Sequence, residues 1–217
     1  MIAVIFDMDG VIADTNPHHL VAWHQFLAKY GIHATDQEMH EHMFGKHNSY
    51  ILEYFFKRKM SGDELHKLQF EKEAMFREIY TPIAEPIAGL LTFIEDLKRQ
   101  GVKTGIATSA PVENLEAVLS KIPLRASMES LLSEQDVTRH KPFPDVYLKS
   151  AVNLGIAPER CVVFEDSRSG VQAGLNAGMK VVGVTTTYSP EELPPCQAYI
   201  PDYQNIDYSF IEALIKI

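Results

Sequence analysis

The sequence predicts an α/β fold, a doubly wound parallel sheet interrupted near its start by a block of helices. Three observations carry this expectation. Short apolar runs, Ile2-Ala3-Val4-Ile5-Phe6, Cys161-Val162-Val163-Phe164 and Val181-Val182-Gly183-Val184, have the continuous hydrophobicity of strands covered on both faces, and Val102 to Ala107 reads as a further strand. Helical periodicity separates the later runs, which is the rhythm of a parallel sheet with crossover helices. The core strands then end in polar residues: Asp7 and Asp9, Thr108 and Ser109, Glu165 and Asp166. A buried strand tolerates no unpaired charge. These groups therefore stand where strands emerge, at the edge where open α/β sheets bind ligands.

Taken in order, Ile2 to Phe6 is the first strand, and Gly10 turns the chain after Asp9. Asp14-Thr15-Asn16-Pro17 signals a helix start, and Leu20, Trp23, Leu27 and Tyr30 follow at helical spacing up to Gly31. Thr35 and Glu38 fit a capping box that opens a second helix, ending near Gly45. Ile51, Leu52, Phe55 and Phe56 mark a third. Ser61 to Glu64 reads as another capping box, opening a fourth helix through Leu65, Leu68, Met75, Phe76 and Ile79. Residues 16–82 are thus expected to form a helical subdomain above the active end. Residues 1–15 and 83–217 form the sheet-bearing core.

Within that core, Leu90, Leu91, Ile94 and Leu97 form a helix closed by Gly101. Val102 to Ala107 is a strand. Pro111 suits the first turn of the next helix, which carries Leu115, Val118, Leu119 and Ile122. Leu131-Leu132 marks a short strand. His140-Lys141-Pro142-Phe143-Pro144 is a stiff loop before a helix with Tyr147, Leu148, Ala151 and Leu154. After Cys161 to Phe164, a helix rich in small residues (Gly170, Ala173, Gly174, Ala177) can approach the sheet closely. Val181 to Val184 is a strand, and Phe210, Ile211, Leu214 and Ile215 mark a terminal helix.

The 217 residues suffice for one core plus an insertion. A net charge of -9 argues against nucleic acid or an anionic membrane as the main partner. No apolar run approaches the ~20 residues of a membrane helix. Cys161 and Cys196 have neither disulfide-framework nor zinc spacing, as expected of reduced thiols in a cytoplasmic protein. A monomer is expected.

Several carboxylates around one point repel each other unless a divalent cation sits among them, and hard oxygen donors suit magnesium. With phosphate charge masked, a carboxylate can attack phosphorus. A second carboxylate then protonates the leaving oxygen and later activates water. Asp7 and Asp9 supply that pair. Thr108 can donate to a phosphoryl oxygen, and Lys141 can offset charge on the nucleophile.

The set Asp7-x-Asp9-Gly10-Val11, Thr108, Lys141-Pro142 and Glu165-Asp166 resembles the four motifs of the haloacid dehalogenase superfamily. The helical insert resembles the cap of its β-phosphoglucomutase-like phosphatase branch. The resemblance implies a Rossmann-like core with Asp7 as nucleophile and Asp9 as acid and base. It implies Mg2+ held by the Asp7 side chain, the Asp9 backbone carbonyl and Asp166, with Glu165 either in direct contact with the metal or one layer out. His19 falls where that branch has a histidine that positions the acid/base.

The segments that would meet substrate depart from the mutase pattern. Ser109 is followed by Ala110 and Pro111, where mutases have a serine and a lysine that grip a distal phosphate. Gly45 is followed by Lys46, His47 and Asn48, where an arginine serves the same phosphate. A lysine does not replace a bidentate guanidinium. The expected activity is a magnesium-dependent phosphatase acting on a small phosphorylated metabolite, a sugar phosphate among the candidates. The alternatives are a phosphohexose mutase and a phospho-acceptor signalling domain.

Overall fold

A computed structural model describes residues 1–43 and 46–216; Gly45, the expected helix stop and substrate contact, lies outside the described residues. The chain divides into two compact units, residues 1–14 with 85–217, and residues 15–84.

Among the described residues, the first unit is built on six parallel strands in the order β3-β2-β1-β4-β5-β6. These are β1 (Ala3–Phe6), β2 (Lys103–Ala107), β3 (Ser130–Leu132), β4 (Cys161–Glu165), β5 (Lys180–Val184) and β6 (Ala198–Ile200). All four residues of β1 are fully buried, as its unbroken apolar sequence requires. Helices α5 (Leu90–Arg99), α6 (Val112–Leu119), α7 (Asp145–Leu154), α8 (Arg168–Asn176) and α9 (Tyr208–Lys216) connect or follow the strands. Helix α7 packs against α8, and α5 against α9, each pair against the strands. The chain runs outward from β1 to β3 and returns through α7 to β4 beside β1. That reversal is a topological switch point, where a crevice opens at the carboxyl ends of the strands.

An aromatic cluster supports the sheet beneath this edge. Phe6 stacks on Phe164 at 5.2 Å and Phe93 on Tyr203 at 5.6 Å. The buried Tyr203 hydroxyl donates to the Val11 carbonyl at 3.1 Å and so fastens the loop after β1.

The second unit contains α1 (Asn16–Lys29), α2 (Asp36–His42), α3 (Asn48–Phe56) and α4 (Gly62–Tyr80). Its core gathers Trp23, Phe26, Met39, Ile51, Leu52 and Leu68, among others, and α4 packs on α1 and α3.

Local signals hold with three differences. The Thr35–Glu38 capping box forms in full, but Ser61 makes no side-chain cap. Glu64, its expected partner, is instead bound by the Arg58 guanidinium, whose charge competes better than a neutral amide. Pro111 is the cap of α6 rather than a residue of its first turn. Strand β6 was not anticipated: it has three residues, set between Pro194-Pro195 and Pro201, and is held by its neighbour β5.

Candidate active site

The register of β1 with β4 brings the first and last motifs together. Phe6 lies opposite Phe164, and the Asp7 amide donates to the Phe164 carbonyl at 3.0 Å. Asp7 therefore leaves the sheet next to Glu165. Asp7, Glu165 and Asp166 are all buried, and each offers a carboxylate oxygen within 4.8 Å of the others.

Lys141 enters from the segment preceding α7. Its ammonium donates to Asp7 Oδ1 at 2.7 Å, to Glu165 Oε1 at 2.7 Å and to the Ala107 carbonyl at 3.2 Å. One side chain thus ties together the ends of β1, β2 and β4. Burial works against its charge, but Asp7 and Glu165 outweigh that and hold the ammonium above its ordinary pKa.

Burial pushes the Asp7 carboxyl up to about 7; Lys141 pulls it back, while Glu165 and Asp9 add repulsion. Asp166 is raised well above the usual carboxylate range by burial and by its neighbours Glu165 and Asp7, with a hydrogen bond from Thr187 opposing. Ionised together, the three carboxylates exceed the charge that one ammonium balances, and the buried oxygens of Asp7 and Asp166 fit a small divalent cation.

Glu165 differs from its two neighbours. Its Oε1 accepts from Lys141 and from the Tyr147 hydroxyl at 2.9 Å. Its Oε2 accepts from the Ser167 amide at 2.9 Å and the Ser167 hydroxyl at 3.0 Å. Four donors occupy the roughly four lone-pair directions of a carboxylate.

Asp9 is partly exposed and acts electrostatically on both Asp7 and Asp166. Gly10 follows with φ 69°, a left-handed turn suited to glycine. Thr108 is buried one residue past β2, where its Oγ1 accepts from the Ala110 amide at 3.0 Å. Ser109 is exposed and Ala110 buried.

Of the expected substrate contacts, His19, Lys46, His47 and Asn48 lie in the helical unit. His19 stacks on Phe76 at 3.6 Å, and its Nδ1 lies 2.8 Å from the Lys72 ammonium. Asn48 donates to Glu73 Oε1 at 2.6 Å, and Lys72 donates to the same oxygen at 2.8 Å. His19 and Asn48 therefore belong to one polar cluster. His47 caps α3, and the Lys46 ammonium lies 5.6 Å from the Tyr50 ring centre.

Sequence reasoning missed Tyr147, Thr187, Lys72 and Glu73 as members of these polar clusters. Lys72 carried a signal, because it stands four residues from both Leu68 and Phe76 in the apolar stripe of α4. Three consecutive threonines directly after β5 were a signal too, at a strand end.

The sequence profile of the haloacid dehalogenase-like (HAD) hydrolases matches residues 4–184. The chain belongs to this family. Among curated HAD relatives, fructose-1-phosphate phosphatase YqaB of Escherichia coli is 32% identical over 83% of this chain and 95% of that protein. β-Phosphoglucomutase of Bacillus subtilis is 28% identical over 85% of this chain and 83% of that protein. A HAD hydrolase of family IA, variant 3, from Entamoeba histolytica superposes over the whole of both chains with a TM-score of 0.94 at 26% identity. The α/β core with an inserted helical unit is therefore the HAD architecture. Among the described residues, no helix is long and apolar enough to cross a membrane.

Proposed function

We propose that this HAD hydrolase is a magnesium-dependent phosphatase acting on a small phosphorylated metabolite, with a sugar phosphate the leading class. The observation that carries the reading is Lys141 bonded at 2.7 Å to both Asp7 and Glu165, with Asp166 in the same carboxylate group. The hydrolase class and the phosphoester substrate draw support from family membership and from relatives named as phosphatases.

Asp7 attacks phosphorus, the bond from phosphorus to the leaving oxygen breaks, and Asp9 gives that oxygen a proton. Water then attacks the aspartyl-phosphate while Asp9 takes up its proton, and Asp7 is released with free phosphate. Lys141 keeps Asp7 oriented and offsets its charge. Thr108 serves a phosphoryl oxygen. The Asp7 side chain, the Asp9 backbone carbonyl and Asp166 would hold magnesium, which when bound anchors the phosphoryl group and neutralises its charge. Glu165, its oxygens engaged by four donors, anchors Lys141 one layer out. His19, Lys46, His47 and Asn48, with Gly45, Ser109 and Ala110, remain the proposed substrate contacts.

A mutase must grip a second phosphate. Where mutases place a serine and a lysine, Ala110 and Pro111 have no donor side chain, which favours hydrolysis. The test is phosphate release from a panel of phosphorylated metabolites, with and without Mg2+. Turnover that needs Mg2+ and vanishes in Asp7→Asn is expected. Interconversion of sugar 1- and 6-phosphates without phosphate release would overturn the phosphatase reading.

A further inference from the structure

The loop after β5 reaches the site with two adjacent side chains. Thr187 donates its hydroxyl to Asp166 Oδ2, and Thr186 Oγ1 donates to the Gly10 carbonyl at 2.6 Å. Neither belongs to the four motifs. One contact fixes a carboxylate at the end of β4; the other fixes the turn directly after Asp9. The loop is itself fastened from both sides. The Thr185 amide donates to the Ile200 carbonyl at 2.9 Å, and Arg168 at the start of α8 donates to the Glu192 carbonyl at 2.8 Å. A threonine on an anchored loop is a fixed reference point, unlike one on a free loop.

We propose that Thr187 is a positioning residue that presents Asp166 to the cation, with Thr186 holding the neighbouring Asp9–Gly10 turn in register. The physical basis is the torsion of a carboxylate about its last bond. That torsion is soft and roughly two-fold, so an unrestrained Asp166 would lose rotational freedom each time a cation bound. A hydroxyl on one oxygen removes that freedom beforehand. Outer partners of this kind typically contribute 10–100-fold to metal affinity. The inference rests on the magnesium-dependent reading above and deepens it.

The deciding measurement is Mg2+ binding by titration calorimetry on the full chain, without substrate. Thr187→Val keeps the shape and removes the hydroxyl; it is expected to weaken Mg2+ binding about tenfold or more. Thr187→Ser restores the donor and is expected to bind within about twofold of wild type, which a purely packing role for the methyl group would not produce. Wild-type affinity in Thr187→Val, or a Thr187→Ser variant as weak as Thr187→Val, would overturn the assignment while leaving the phosphatase reading intact. A wild-type chain that binds no Mg2+ would overturn both.

Discussion

A Cβ atom built on Gly170 would fall 1.6 Å from Glu165 Oε1 and 2.4 Å from Oε2. The first turn of α8 therefore lies directly against the residue that anchors Lys141. Ser167 completes the arrangement: its Oγ donates to Glu165 and accepts from the Gly170 amide at 3.1 Å. The expected result of Gly170→Ala is a folded enzyme with Glu165 displaced. Overpacking of this kind costs about 1–3 kcal/mol of stability, and misplacement of a catalytic group by ~1 Å can cost 100-fold in rate. Steady-state kinetics with urea denaturation measures both. Wild-type kcat in this variant would show that the Glu165 position does not govern Lys141.

Tyr147 is fully buried, donates to Glu165 Oε1 at 2.9 Å, and holds its ring centre 4.8 Å from the Lys141 ammonium. Tyr147→Phe keeps the ring and removes the donor. A hydrogen bond to a charged group contributes about 1.5–3 kcal/mol, so the midpoint of denaturation should fall. The kinetic effect is expected in kcat, roughly tenfold, with KM little changed, because Tyr147 touches Lys141 and Glu165 rather than substrate. A raised KM with unchanged kcat would place Tyr147 in binding instead.

Asp7 sets a pH dependence of the metal-free protein. Its folded pKa, about 7, lies above its ordinary value of 3.8. Between those values the folded chain keeps a proton that the unfolded chain has lost, so the Asp7 contribution to stability falls as pH rises through this window. A tenfold difference in proton affinity between the two states is worth about 1.4 kcal/mol. Thermal melts from pH 4 to 8 in chelator should show wild type losing stability relative to Asp7→Asn, which cannot titrate. Mg2+ should reduce the loss. Parallel curves for the two proteins would show that Asp7 ionises in the fold as it does in water.

The first and fourth strands illustrate what periodicity can and cannot reveal. Apolar runs and terminal polar residues located β1, β4 and β5 within a residue or two, because strands covered on both faces must be continuously hydrophobic. The same logic misses β6, which at three residues buries too little to leave a pattern and depends on β5 for its partners. Ser61 shows the matching limit for caps. Its spacing to Glu64 is correct, yet the Arg58 guanidinium takes the carboxylate that would accept from the Ser61 amide.

For this protein the sequence alone determined the order of the elements apart from β6, the doubly wound core and the candidate reacting groups Asp7, Asp9, Lys141, Glu165 and Asp166. Burial of apolar strands and exposure of charge are local demands, written residue by residue. Tertiary structure alone decided who holds those groups. Lys141 meets Asp7 across 134 positions of sequence, and Glu165 is satisfied by Tyr147 and Ser167 from two different helical segments. Thr187 reaches Asp166 only because β5 lies beside β4 in the sheet. Such partnerships follow from strand order and register, which bring distant residues within hydrogen-bond range and leave no periodic trace in the chain.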